Sequence, residues 1–374
     1  MADLLLGGLS PREFLDKHWQ KRPLLIRNAL CGCETILTRA RLIDLARRPD
    51  VESRLVIRNG RRWQVLHGPF KRGVLHALPP THWTLLIQGI NQFVPQVAAV
   101  MQRFDFVPYC RLDDVMASLA APGGGVGPHF DDYDVFLLQG QGQRRWQIGA
   151  TRDKTLVHNA PLKILRRFRP THDWLLDSGD MLYLPPAYAH CGTAQNECIT
   201  LSIGFRAPAA QEMSAAFLAY LQDHIRIPGR YRDPRLAPTR NPARLDPALA
   251  RWASTVLGKI NWSSQDVAHW LGQYLSEPKP QVFFDPPRTP LARKRFGTAL
   301  RQCGVELHAN SRLLYHRAVF FINGEALHIN RQIQRSLAML ADKRRLPAGG
   351  SYDEAILDLL YEWYRCGYIV PDSP

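Results

Sequence analysis

The feature that most constrains this chain is a change of texture near residue 207. Before it, short segments alternate at a period of two and are cut by glycine and proline turns, as in Arg54-Leu55-Val56-Ile57-Arg58, Asp134-Val135-Phe136-Leu137-Leu138 and Ile199-Thr200-Leu201-Ser202-Ile203-Gly204-Phe205. Branched and aromatic side chains at that period predict strands of a β sandwich or barrel, with helical decoration near residues 10–20, 39–47 and 81–103. Beyond residue 207 the apolar positions move to helical spacing over Ala210–Ile225, are interrupted by a Pro/Arg-rich stretch from Pro228 to Pro247, and resume over 248–275. A breaker run (Pro278, Pro280, Pro286, Pro287, Pro290) precedes an expected helix (291–302), strand (304–308), hairpin at Asn323-Gly324, two helices (330–345, 352–366) and a closing Tyr368-Ile369-Val370. Asn-Gly between apolar runs is a strong hairpin signal. Helices around one small hairpin predict a winged helix, and the texture divides the chain into units 1–207, 208–278 and 279–374.

Charge narrows the partners. The formal net charge is +15, with +8 on residues 1–207 (26 basic minus 18 acidic) and +7 on 208–374 (22 minus 15). The basicity is spread over the chain and suits an acidic partner or a ribonucleoprotein setting. With 45% hydrophobic and 22% charged residues the chain is expected to fold throughout. Met1-Ala2-Asp3-Leu4-Leu5-Leu6-Gly7-Gly8 lacks the positive start of a secretory signal, and no run reaches the ~20 apolar residues of a membrane span. A cytoplasmic protein with no membrane partner is expected. Seven scattered cysteines, with Cys31-x-Cys33 as the one close pair, predict neither a disulfide framework nor structural zinc.

Two segments carry the chemistry. Pro122-Gly123-Gly124-Gly125-Val126-Gly127-Pro128 is a flexible turn that delivers His129 and Asp131 onto an expected strand, where a period of two puts both on one face with Tyr133. Ser178-Gly179-Asp180-Met181-Leu182-Tyr183-Leu184-Pro185-Pro186-Ala187-Tyr188-Ala189 leads through a strand and a proline corner to His190. Two histidines and a carboxylate occupy one face of an octahedral ferrous ion and leave three positions open. Arg144 follows the Gly140-Gln141-Gly142 turn, so its strand runs back beside the ligands, where a guanidinium holds a carboxylate with two hydrogen bonds. Arg145 faces the other way. Taken singly, His129 and His190 also fit a turn and a core histidine, and Asp113-Asp114 also fits a helix cap or a solvated turn. A metal site that takes no carboxylate-bearing cosubstrate would leave Arg144 without a partner.

The run from Gly123 to Trp146, together with Gly179-Asp180, Pro185, His190 and Ser202-Ile203-Gly204-Phe205-Arg206, resembles the JmjC-type ribosomal oxygenases. Upstream, Phe14-Leu15-Asp16-Lys17-His18-Trp19-Gln20-Lys21-Arg22-Pro23-Leu24-Leu25-Ile26 resembles that family's N-terminal segment. The resemblance implies an α+β chain: a double-stranded β-helix (cupin/JmjC jelly-roll) core, a helical dimerisation region and a C-terminal winged helix. It implies Fe(II), 2-oxoglutarate and O2, with His129, Asp131 and His190 as metal ligands, and Arg144 and Ser118 on the cosubstrate. Asp114, Tyr133 and Ser202 match positions that engage the substrate. The implied activity is hydroxylation of an arginine β-carbon in a large-subunit ribosomal protein, with release of succinate and CO2, by a homodimer. The match is nearest the bacterial branch that acts on the sixteenth large-subunit protein. Rivals keep the same centre for histidyl hydroxylation or N-methyl demethylation, with acidic Asp114 speaking for a cationic target. Another rival is a winged-helix regulator that binds nucleic acid through Arg331, Arg335, Lys343, Arg344 and Arg345.

Overall fold

The protein is described by a computed structural model covering residues 4–372 apart from 61, 152 and 351. The N-terminal half is antiparallel throughout. Its strands are β1 (Leu24–Ile26), β2 (Ser53–Asn59), β3 (Arg62–His67), β4 (Trp83–Ile87), β5 (Leu112–Ala120), β6 (Val135–Gln141), β7 (Arg144–Ala150), β8 (His172–Leu176), β9 (Met181–Leu184), β10 (Tyr188–Ala194) and β11 (Cys198–Phe205). They form an eight-stranded sheet in the order β1-β9-β6-β11-β5-β4-β2-β3, facing a three-stranded sheet in the order β10-β7-β8. This is the double-stranded β-helix.

Alternation along the strands divides the larger sheet between two cores. Val115, Ala117, Leu119, Leu201, Ile203, Phe136 and Leu138 turn outward into a large core closed by helices α1 (Pro11–Lys17), α2 (Arg39–Leu45), α3 (Arg72–His76) and α4 (Pro95–Gln102). The opposite face turns Val135, Leu137, Leu182 and Leu184 onto Trp146, Ile148 and Leu176 of the smaller sheet. That second core plugs one part of the barrel and leaves the interior around β5 and β11 for polar residues. The helix caps are written locally. Ser10 and Glu13 form a reciprocal capping box ahead of α1, whose first residue is Pro11.

The expected helix over 81–103 is corrected by the structure. Trp83–Ile87 is the fully buried strand β4 between β2 and β5, and only Pro95–Gln102 is helical. A continuous apolar run buried on both faces has no period to read, so a strand and a buried helix look alike in sequence. The helical stretch over 248–275 is likewise two helices, α6 (Pro247–Leu257) and α7 (Ser264–Ser276), after α5 (Ala210–His224). Ser263 and Asp266 form a new capping box at the break.

The C-terminal unit has its own core of Phe296, Leu300, Leu337, Leu340, Leu360 and Trp363. It runs α8 (Arg293–Cys303), β12 (Val305–Leu307), β13 (Leu313–His316), β14 (Val319–Ile322), β15 (Glu325–His328), α9 (Arg331–Lys343), β16 (Arg345–Leu346), α10 (Glu354–Arg365) and β17 (Ile369–Pro371). The meander β13-β14-β15 turns at Asn323 (φ 50°) and Gly324 (φ 91°), the left-handed pair that a tight hairpin demands. Helix α7 lies on this meander so closely that a Cβ at Gly272 would sit 2.3 Å from the Phe321 ring. Among the described residues, no helix is long and apolar enough to cross a membrane.

Candidate metal centre

The chain reaches the site through a passage that only glycine fits. Between β5 and β6 it passes under the backbone of both sheets, where a Cβ on Gly124 would lie 2.2 Å from the Trp83 carbonyl and one on Gly125 2.4 Å from the Gly192 carbonyl. Beyond it, His129 and His190 exchange backbone hydrogen bonds: His129 N donates to His190 O at 3.0 Å, and His190 N to His129 O at 2.8 Å. The expected strand through His129 and Tyr133 is thereby corrected to a single bridge. Residues 130–134 form no ladder, and Ala187 N pins the loop by donating to Asp131 O at 2.6 Å.

Ligand-type atoms of His129, Asp131 and His190 all lie within 4.8 Å of one another. Each imidazole is turned by its own backbone. His129 Nδ1 donates to Gly127 O and His190 Nδ1 to Tyr188 O, both at 3.0 Å, so that each Nε2 is left bare toward the third ligand. His190 Nε2 lies 3.6 Å from Asp131 Oδ2. Such carbonyl partners fix the tautomer of a metal-binding histidine. Burial, with His129 alongside, holds His190 well below the usual imidazole range, so it is neutral and able to ligate. Burial pushes the Asp131 carboxyl upward against the pull of His129. A divalent cation among the three favours the carboxylate and the neutral imidazoles together. The donor set and its orientation fit ferrous iron.

Alternation on β7 points Arg144 inward and Arg145 outward, and the two arginines have opposite fates. Arg145 makes an exposed, solvent-screened pair with Asp173 at 2.7 and 2.5 Å. Arg144 is 3% exposed and has no carboxylate partner among the described residues. Its Nη1 donates to Ser118 Oγ (2.9 Å) and Thr200 Oγ1 (3.4 Å), its Nη2 to Gly192 O (3.4 Å), and its Nε to nothing. Burying such a cation costs several kcal/mol, and neutral hydrogen bonds of about 1 kcal/mol each do not offset that. Trp146, whose ring lies 5.0 Å from the guanidinium and 5.9 Å from His190, also carries an unpartnered buried N–H. Unsatisfied donors behind the triad fit a dicarboxylate cosubstrate. Gly192 keeps that space open: a Cβ there would lie 2.7 Å from both Arg144 Nε and the Trp146 ring. Gly192→Ala should raise the 2-oxoglutarate concentration for half-maximal turnover on the order of 10–100-fold, as a misplacement of about 1 Å does, measured by succinate release.

Strand β11 lays out the rest in order. Thr200 pairs with Ser118 beside Arg144, Ser202 pairs with Met116 one step along, and Gly204 lies 3.7 Å, as a Cβ position, from Asp114 O and 3.9 Å from Tyr133. Asp114 is not in a solvated turn but near the start of β5, 5% exposed, accepting from Gln88 Nε2 on both oxygens at 2.9 Å. Tyr133, 41% exposed, stands at the mouth, close enough to Asp131 to lower its carboxyl against the effect of burial. Desolvation and the charges of Asp131, Asp114 and Asp113 push that phenol up. Sequence reasoning missed Thr200, Gln139 and Gly192 around Arg144, and Gln88 and Lys279 on Asp114. Thr200 was readable, since it shares the alternating face of Ser202; Lys279 lies 165 residues from Asp114 and was not.

A double-stranded β-helix with a His-x-Asp…His triad at its mouth and a buried arginine behind it defines the JmjC class of oxygenase. Residues 99–213 match the JmjC domain family, and 259–369 the ROXA-like winged helix. The chain is 34% identical over 318 residues to the ribosomal protein uL16 3-hydroxylase of Escherichia coli K12, covering 84% of each chain. It is 38% identical over 205 residues to a probable ribosomal oxygenase of Haemophilus influenzae, covering 54% of this chain and 50% of that one. The crystal structure of E. coli YcfD superposes with a TM-score of 0.84 at 32% identity, covering 97% of this chain and 98% of that one. YcfD in complex with cobalt and 2-oxoglutarate gives 0.80 at 32% identity over the same shares. The chain belongs to the JmjC-type ribosomal oxygenases, and is an oxygenase dependent on Fe(II) and 2-oxoglutarate.

Proposed function

We propose that this oxygenase hydroxylates the β-carbon of an arginine in the large-subunit ribosomal protein uL16. The observation that carries the reading is the buried Asp114 carboxylate on the same interior face of β5 as Ser118, the partner of Arg144, a seat for a cation that shares Tyr133 as a neighbour with Asp131. The uL16 3-hydroxylase relative supports the ribosomal substrate. In this reading His129, Asp131 and His190 hold the iron, Arg144 and Ser118 hold the far carboxylate of 2-oxoglutarate, and Asp114, Tyr133 and Ser202 receive the target side chain.

When bound, ferrous iron and 2-oxoglutarate supply dioxygen activation at the cost of the cosubstrate, which leaves as succinate and CO2. The residues supply placement. Arg144 fixes the cosubstrate at one end with a guanidinium fork that a lysine could not reproduce. Asp114 fixes the guanidinium of the target at the other, so the aliphatic carbons between are presented to the metal. Tyr133 stands beside Asp131 and lines the cavity at the mouth. The hydrophobic plug of Val135, Leu137, Trp146, Ile148 and Leu182 keeps water from the interior side.

Asp114→Asn preserves shape and removes the charge. It should lower kcat/KM for an arginine-bearing uL16 peptide at least about 30-fold, the cost of breaking a buried charge pair, while peptide-independent succinate release persists. A loss of both together would instead place Asp114 in the structural support of the metal. Histidyl hydroxylation and N-methyl demethylation are disfavoured by a carboxylate seat that suits a permanently charged, unmethylated guanidinium. We also read residues 1–207, 208–278 and 279–374 as the units of the chain, and the middle one as a homodimer surface, because it exposes Leu218 (60%), Leu257 (63%) and Trp262 (52%). A cytoplasmic setting and any direct nucleic-acid contact of the winged helix belong to the same proposal.

A further inference from the structure

The acid seat is already filled by a residue of this chain. Lys279 Nζ lies 2.7 Å from Asp114 Oδ2 and 3.1 Å from the Asp113 carboxylate. It comes from the irregular segment between α7 and α8, far outside the β-helix. That segment reads Pro278-Lys279-Pro280, and two prolines fix their own φ angles while the second also confines Lys279 to extended backbone. The backbone that presents the ammonium is therefore stiff. The side chain is not, having four rotatable bonds and remaining 25% exposed.

Position makes Lys279 a screen rather than a simple tie. A cavity of about 520 Å³ opens beside the metal mouth, lined by Asp113, Tyr133, Arg206, Tyr274 and Lys279. Asp114, which the ammonium meets at 2.7 Å, does not itself line it. Other contacts keep the units docked without Lys279. Arg206 Nε donates to Asp113 Oδ1 at 3.4 Å and its Nη1 to Leu275 O at 3.2 Å, while Arg312 Nη2 donates to Asp113 O at 2.9 Å. The ammonium can swing into the cavity with the segment in place.

We propose that Lys279 is an internal stand-in for the substrate's guanidinium, one that must be displaced and that thereby sets which side chains are admitted. This rests on the Asp114 role proposed above. The exchange is selective by its charge balance. A guanidinium replaces an ammonium on Asp114 and adds a second donor, so no buried carboxylate is ever left bare. A neutral side chain such as imidazole cannot compensate Asp114 and does not evict the lysine. Lysine offers the same ammonium that is already seated and gains nothing.

The test uses the full chain loaded with Fe(II) and three proteins: wild type, Lys279→Met and Lys279→Arg. For an arginine-bearing uL16 peptide, Lys279→Met should lower KM about tenfold, with the change falling on KM rather than kcat, because the competitor is gone. Lys279→Arg, which keeps the charge and needs no new fold, should raise KM severalfold because the resident guanidinium grips more firmly. The same proteins are titrated with arginine amide and no cosubstrate, with binding read by calorimetry; the methionine variant should bind more tightly than wild type. An unchanged or raised KM in Lys279→Met, beside active wild type, overturns the proposal and marks Lys279 as structural. If wild type makes no product from the peptide, the substrate assignment fails, and the arginine amide titration alone decides: equal affinities overturn the role of Lys279, and tighter binding by the methionine variant upholds it.

Discussion

Asp131→Ala abolishes turnover and leaves the fold standing. Removing one ligand of a three-ligand site should lower succinate formation by more than about 10³-fold, beyond the 10–100-fold of a change outside the ligand shell. The apoprotein should not suffer, because burial pushes the Asp131 carboxyl up and a charge held there opposes folding. The thermal midpoint without metal is therefore expected to stay level or rise, while the increase that Co(II) or Fe(II) gives to wild type disappears. Differential scanning calorimetry with and without metal measures both. A variant that unfolds without metal would mean that Asp131 supports the loop through its carboxylate rather than through the backbone bond from Ala187.

The second large effect is of opposite sign on stability and on function. Arg144→Met replaces a buried, unpartnered guanidinium by an apolar side chain of similar length. Replacing buried ionic groups by well-packed apolar ones is often stabilising by about 1–4 kcal/mol, which for a domain of this size is roughly 2–4 °C per kcal/mol. The cosubstrate should at the same time bind on the order of 10²–10⁴-fold more weakly, since about 3–5 kcal/mol is lost when a buried charge loses its partner. Wild type shows the mirror image: saturation with 2-oxoglutarate at 100 times its Kd adds about 2.7 kcal/mol, of which Arg144→Met should keep at most about 0.4 kcal/mol. Thermal midpoints at several 2-oxoglutarate concentrations check all of this. A destabilised Arg144→Met would show that Ser118, Thr200 and Gly192 satisfy the guanidinium in full.

The centre was legible in the sequence because its parts are local. Glycines mark the passage before His129, a proline corner marks the approach to His190, and alternation on β7 decides between Arg144 and Arg145 without any tertiary knowledge. The Asn323-Gly324 turn was legible for the same reason. What was hidden depends on neighbours distant in sequence. The run Trp83–Ile87 carries no period because both its faces are buried, and only pairing with β2 and β5 makes it a strand. Tyr133 comes beside Asp131 through a bend, not by strand register. The company of Asp114, above all Lys279, comes from a proline-rich stretch that reads as a breaker run and nothing more.

The central claim is that this chain oxidises an arginine of a ribosomal protein at the His129–Asp131–His190 centre. Mass spectrometry of uL16 after incubation with the protein, Fe(II), 2-oxoglutarate and oxygen tests it most directly, with His129→Ala and Arg144→Ala as controls. The account predicts one added oxygen on a single arginine, formed with an equivalent of succinate and absent from both controls. Unmodified uL16 in the presence of a fully iron-loaded wild-type protein, or an oxygen added to a histidine instead, would contradict it.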